Sequence, residues 1–172
     1  MQPTKKDLLG LLADVDRSVP ELSKLVIVGA GDTAMTLLDL KPPAIHLDFT
    51  GPYADLAEFS RLSAGVPNRG FQIHMWPDGL VFGQRLPEDY AKVSVRLSVD
   101  LARIDLRALQ PLDIVVTKIE RLTDDDVRDM KTCIRHFKLG KNQILKRARA
   151  LQQVRDESRF ERNLESVMSL FT

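Results

Sequence analysis

An apolar run over residues 25–28 ends on Gly29-Ala30-Gly31-Asp32-Thr33-Ala34, and a second apolar run delivers His46 and Asp48. Side chains alternate along an extended segment, so His46 and Asp48 share one face. A glycine turn that opens a helix offers backbone N–H groups and the positive helix end to a phosphate. A carboxylate and an imidazole side by side on a strand are the beginning of a metal site. The glycine spacing also fits the G-x-G-x-x-A dinucleotide fingerprint. That fingerprint needs repeated βαβ units and a parallel sheet, whereas here the later pattern turns to hairpins and antiparallel alternation. Pro42-Pro43 also cut short the helix that follows the glycines. A Rossmann-type dinucleotide binder is therefore the lesser reading.

The elements that must position these residues are legible as patterns. Residues 4–16 predict a helix with Thr4 as N-cap and Leu8, Leu11, Leu12 and Val15 along one face. Strands are expected at 25–28 and 44–49, and helices at 33–40 and 53–62. Pro77-Asp78-Gly79, between apolar runs at 71–76 and 80–82, predicts a hairpin. The alternation of Val93, Val95, Leu97 and Val99 predicts an antiparallel strand over 92–100, with a return strand at 101–106 on which Asp105 faces solvent.

From residue 110 the composition turns helical. Pro111 suits the first turn of a helix with an apolar stripe of Leu112, Val115, Val116, Ile119 and Leu122; Lys118 falls off that stripe and reads as solvated. Thr123 before Asp124-Asp125-Asp126 is a strong helix start, because a hydroxyl cap and acids suit the positive helix end. Gly140 stops that helix, and two more are expected at 141–154 and 158–171. The organisation predicted is an α/β core over 1–109 and a helical part over 110–172.

Two stretches carry a resemblance. LVIVGAGDTAM followed by IHLDF resembles the nucleotidyltransferase-like proteins, whose core reads hydrophobic strand, glycine turn, helix, Asp-x-Asp strand. LDIVVTKIERLTDDDVRDM resembles the later segment of an uncharacterised branch related to AbiEii-type toxin nucleotidyltransferases, with Lys118, Arg121, Asp126 and Asp129 at the matching spacing. The resemblance implies a mixed-sheet α/β fold and transfer of a nucleotidyl group from a nucleoside triphosphate to a hydroxyl on RNA or protein. It implies that Gly29, Gly31, Asp32 and Thr33 shape a phosphate turn and that Asp48 holds a divalent metal. Lys118, as a catalytic group beside Asp48, would neutralise phosphate, with Arg121, Asp126 and Asp129 beside it at the nucleotide. It also implies an antitoxin-like protein partner or a homo-oligomer.

The chain departs from that pattern at three places. Asp32 stands where the family has a small residue, His46 replaces the first carboxylate of Asp-x-Asp, and His74 occupies the strand that would carry a third. Magnesium favours oxygen ligands, whereas a His46, Asp48 and His74 set suits Zn²⁺, Mn²⁺ or Fe²⁺. The alternative function is a catalytically inactive nucleotide-binding or protein-interaction module on the same scaffold.

Whole-chain properties bound the rest. The 172 residues carry 25 Lys and Arg against 24 Asp and Glu, which excludes a globally basic nucleic-acid binder. Residues 138–162 hold eight Lys or Arg against three acids, a local basic face that would suit RNA phosphates. No apolar run reaches the roughly 20 residues that span a bilayer, and the amphipathic N-terminus is unlike a signal peptide. The expected location is cytoplasmic, without a membrane. Cys133 lies among apolar residues in a helical pattern and reads as a small buried hydrophobe.

Overall fold

The computed structural model describes residues 1–171. In chain order its elements are α1 (Lys5–Ser18), β1 (Leu25–Gly29), α2 (Gly31–Leu37), β2 (His46–Gly51), α3 (Tyr53–Ser63), β3 (Gln72–Pro77), β4 (Leu80–Val81) and β5 (Gln84–Arg85). They continue as α4 (Tyr90–Val93), β6 (Val95–Arg96), β7 (Ile104–Ala108), α5 (Pro111–Lys118), α6 (Asp124–Phe137), α7 (Lys141–Arg149), β8 (Gln152–Gln153) and α8 (Glu157–Met168). The fold is α/β, as expected.

A mixed five-stranded sheet runs β3-β2-β1-β7-β6, and a smaller sheet runs β4-β5-β8. Strand β1 lies antiparallel to β2 and parallel to β7, so the glycine turn does not sit in a parallel βαβ unit. Strand β2 is parallel to β3 and sets Asp48 opposite His74 and Thr50 opposite Trp76. Helix α3 packs on β1, β2, β3 and α1, while α2 packs on β1, β2, β7 and α5.

Local signals explain the framework. Thr4 and Asp7 form a capping box at α1, whose Leu8, Leu11, Leu12 and Val15 are fully buried. Near its end, the buried Asp16 carboxylate accepts hydrogen bonds from the backbone N–H groups of Ala102, Arg103 and Ile104 at 2.8–3.0 Å, which fixes the start of β7. The Asp55 carboxylate accepts from Val26 N–H at 2.9 Å and ties α3 to β1. Thr123 and Asp126 form a second capping box at α6, and Lys138 ends that helix with a left-handed backbone two residues before Gly140 caps α7.

Gly51 ends β2 at φ +149°, where an added Cβ would lie 2.7 Å from the Val26 carbonyl oxygen, a backbone atom fixed by the sheet. Gly51→Ala should therefore cost about 1–3 kcal/mol, seen as a lower urea midpoint; an unchanged midpoint would show that the strand end can shift.

Several expectations change. The turn at Asp78-Gly79 forms with both residues at positive φ, yet the strands it joins do not pair with each other. Strand β3 pairs with β2 instead, and the hairpin partner of β4 is β5. The alternating segment 92–100 contributes only Val95–Arg96 as a strand, because Tyr90–Val93 closes into a helical turn around the buried Tyr90. Asp105 is not solvent-facing; its side chain is 9% exposed beneath Arg96 and Arg107.

The expected helix at 141–154 stops at Arg149, and Gln152–Gln153 leave it to pair with β5. One hydrophobic core runs from Leu8 on α1 to Val167 on α8, so the α/β part and the helical part share their interior. Cys133 is buried, with burial pushing its thiol up to about 11. Among the described residues no helix is long and apolar enough to cross a membrane.

Candidate functional site

The glycine turn and strand β2 are tied together by one backbone bond and one threonine hydroxyl. Ala30 N–H donates to the Asp48 carbonyl at 2.9 Å, and Asp48 N–H donates to the Thr33 hydroxyl at 2.9 Å. Thr33 and the Ala30 amide thus act within the fold. Gly31, at φ +51°, lies under the Phe82 ring, which an added Cβ would meet at 3.0 Å. Phe82 itself adopts φ +53°, a strained backbone for a bulky side chain.

Asp32, the next residue, points into a charge cluster. The Lys118 ammonium donates to Asp32 at 2.9 Å, Asp126 at 3.2 Å and Asp129 at 2.9 Å, so its three protons meet three carboxylates. Lys118 is 2% exposed, against the expectation of a solvated lysine. That expectation fails because α5 is covered by α2, α6 and α7, so a residue off its apolar stripe is still interior. Lys41 bridges Asp32 and Asp129 at 3.1 Å each, and Arg121 grips Asp126 through two hydrogen bonds. Three cations and three carboxylates from four chain segments thereby neutralise one another.

The protonation states follow from that geometry. Burial opposes the charge on Lys118, but Asp32 and Asp129 outweigh it and hold the ammonium above its usual range. Burial likewise pushes Asp126 up, yet Arg121, Lys118 and Thr123 bring its carboxyl well below the ordinary value. Asp32 is also held low, since Lys118 and Lys41 exceed its desolvation. Lys118, Asp32 and Asp126 are therefore ionised at neutral pH.

The other expected residues gather on β2 and β3. His46, Asp48 and His74 share a face, with the His46 and His74 rings 5.1 Å apart and His74 Nδ1 3.6 Å from Asp48 Oδ1. The same Asp48 oxygen accepts a 2.8 Å hydrogen bond from the indole N–H of Trp76. Mg²⁺ needs several oxygen ligands, and this face offers one carboxylate that is already engaged. Among the described residues no group of three His, Cys, Asp or Glu side chains is disposed to hold a metal ion. The donor set does not fit the ion that the resemblance implies.

A cleft of about 320 Å³ opens beside the charge cluster, lined by Trp76, Phe82, Thr117, Lys118, Glu120, Arg121, Arg155 and Arg159. Trp76 and Phe82 meet edge to face at 5.0 Å, and the Arg121 guanidinium stands 6.0 Å from the Phe82 ring centre. The resemblance singled out Lys118 and Arg121, which line this cleft, but Phe82 and Glu120 on its wall and Lys41 in the charge cluster were missed. Phe82-Gly83 at a turn tip was the available signal for the first. The basic face expected over 138–162 is partly consumed: Arg147 pairs with Asp113 and Asp89, Arg149 with Glu161, and Arg159 with Glu120.

No family model matches this chain, and neither the curated proteins nor the solved structures contain a match.

Proposed function

We propose that this chain is a nucleotide-binding module on a nucleotidyltransferase-like scaffold that does not itself transfer a nucleotidyl group. The observation that carries the reading is the engagement of Lys118. All three of its donors are spent on Asp32, Asp126 and Asp129, so none is left for a phosphate. Asp32 also places a negative charge where the resemblance would put the triphosphate, and like charges at contact distance repel strongly in a half-buried site.

Binding without transfer is supported by the adjacent cleft. Its aromatic wall of Trp76 and Phe82 suits a planar base, and its guanidinium groups suit an anion. Trp76 is the sole tryptophan of the chain, so its fluorescence reports the cleft directly.

Two measurements test the reading. Nucleotides should quench Trp76 saturably, and labelled nucleoside triphosphates with Mg²⁺ or Mn²⁺ should leave no label on RNA or protein acceptors. Metal-dependent labelling that disappears in Asp48→Ala would overturn the proposal in favour of an active transferase.

A further inference from the structure

We infer that the cleft holds a phosphate subsite on Arg155, and that its ligand is a nucleoside monophosphate. This rests on the nucleotide-binding reading above and names the ligand class of the same cleft.

Four cations line the cleft, and three are already matched. Lys118 is enclosed by three carboxylates, Arg121 is bidentate on Asp126, and Arg159 pairs with Glu120. Arg155 forms no ion pair and no side-chain hydrogen bond among the described residues, and it is exposed to the cleft mouth. Its charge is therefore the one available to an incoming anion.

Arg155 is also placed by the fold. Its stem lies on Gly83, where an added Cβ would stand 2.7 Å from Arg155 Cδ, and Gly83 has φ +82°. The neighbouring Val154 N–H donates to the Gly83 carbonyl at 3.1 Å, which clamps the end of β8 to the turn between β4 and β5. The same turn carries Phe82, so the β4–β5 hairpin both seats the Arg155 stem and supplies an aromatic ring to the cleft. A planar guanidinium matches phosphate oxygens in pairs.

The charge balance selects one phosphate over three. Each added phosphate brings negative charge with no further unpaired cation to meet it. The cleft residues Trp76 and Lys118 are themselves bonded to the carboxylates of Asp48 and Asp32. A polyphosphate turned toward that end would meet like charge.

The test follows Trp76 fluorescence during titration with the four ribonucleoside monophosphates, the matching nucleosides and triphosphates, and inorganic phosphate, using the whole chain. At least one monophosphate should bind about tenfold more tightly than its nucleoside, and no more weakly than its triphosphate. Arg155→Ala should weaken that monophosphate about tenfold while leaving binding of its nucleoside and the denaturation midpoint unchanged, and Arg155→Lys should restore part of the affinity. Nucleotide binding that ignores Arg155→Ala, or that favours the triphosphate over the monophosphate for every base, would overturn the subsite and leave the nucleotide-binding reading standing. Arg155-dependent binding of inorganic phosphate with no response to any nucleoside or nucleotide would reject the nucleotide reading and the monophosphate ligand. It would leave an anion subsite on Arg155.

Discussion

Lys118→Met should destabilise the fold by about 3–5 kcal/mol, the cost of breaking a buried ion pair by removing one partner. Methionine fills much of the lysine volume, so the loss reports charge rather than a cavity. What remains is Asp126 at 1% exposure and Asp129 at 13%, with only Lys41 and Arg121 to compensate them and Asp32. Urea denaturation at pH 7 checks the value. Asp32→Asn added to Lys118→Met should recover part of the loss, because the two sites share one network.

The pH dependence has a definite sign. Lys118 is held above its usual range, so its contribution is complete below the unfolded value of about 10.4 and is lost as pH rises through the folded one. Asp126 is held below its usual range, so its contribution is complete above about pH 4 and is lost as pH falls. The native protein should therefore show both an acid and an alkaline limb. The Lys118→Met variant should lack the lysine's alkaline limb and lose less on acidification, since protonation relieves its surplus carboxylates. A variant as stable as the parent at pH 7 would show that the cluster is not an energetic tie.

Arg147→Ala should have a comparable effect, about 3–5 kcal/mol at neutral pH, for the same reason at a different place. Asp113 on α5 is fully buried and accepts two hydrogen bonds from Arg147 of α7, at 2.5 and 2.9 Å, with a weaker one from Gln110 at 3.3 Å. Burial already pushes the Asp113 carboxyl above its ordinary range, even though Arg147 and Gln110 pull the other way. Without Arg147 it rises further. A carboxyl that holds its proton more tightly in the native state makes stability fall as pH rises through that window. The deficit of Arg147→Ala should thus be largest at pH 7 and shrink toward pH 4.5, and Asp113→Asn in the same chain should narrow it at pH 7. A deficit constant across that range would show that Arg147 acts through its aliphatic contacts instead.

Both variants expose a limit of reading charges from a pattern. The resemblance grouped Lys118 with Asp126 and Asp129, and the fold brings the three into hydrogen-bond contact, whereas spacing alone read the acids as helix caps and the lysine as solvated. Its burial was not legible, since nothing local says that α2 will cover the polar side of α5. Asp113 and Arg147 lie 34 positions apart, and neither has a local signal of pairing. Lys41 joined the cluster for a similar reason: it follows a helix that ends early at Leu37, and the packing of α2 against α5 brings that segment to the cluster.

The strands divide in the same way. Apolar runs located β1, β2 and β3 to within two residues, and the return strand expected at 101–106 overlaps β7, whereas the clean alternation over 92–100 yields only Val95–Arg96 as strand. The period of two did give His46 and Asp48 a common face. The Pro77-Asp78-Gly79 turn signal assigned β3 to a hairpin with the segment after Gly79, because the turn chemistry there is local and strong. The longer parallel pairing with β2 prevailed, six residues in register against a two-residue stub.

The sequence by itself determined the α/β class, the helix starts at Thr4 and Thr123, the glycine turn, and the burial of Cys133. Those follow from capping, hydrophobic period and backbone freedom, which act over a few residues. Only the tertiary structure decided that Asp32 faces Lys118, that Asp48 is held by Trp76, and that Arg155 is left unmatched beside Phe82. Those depend on which charges the folded chain brings within hydrogen-bond distance and removes from water. Pairing across tens of residues is set by packing, and no local pattern encodes it.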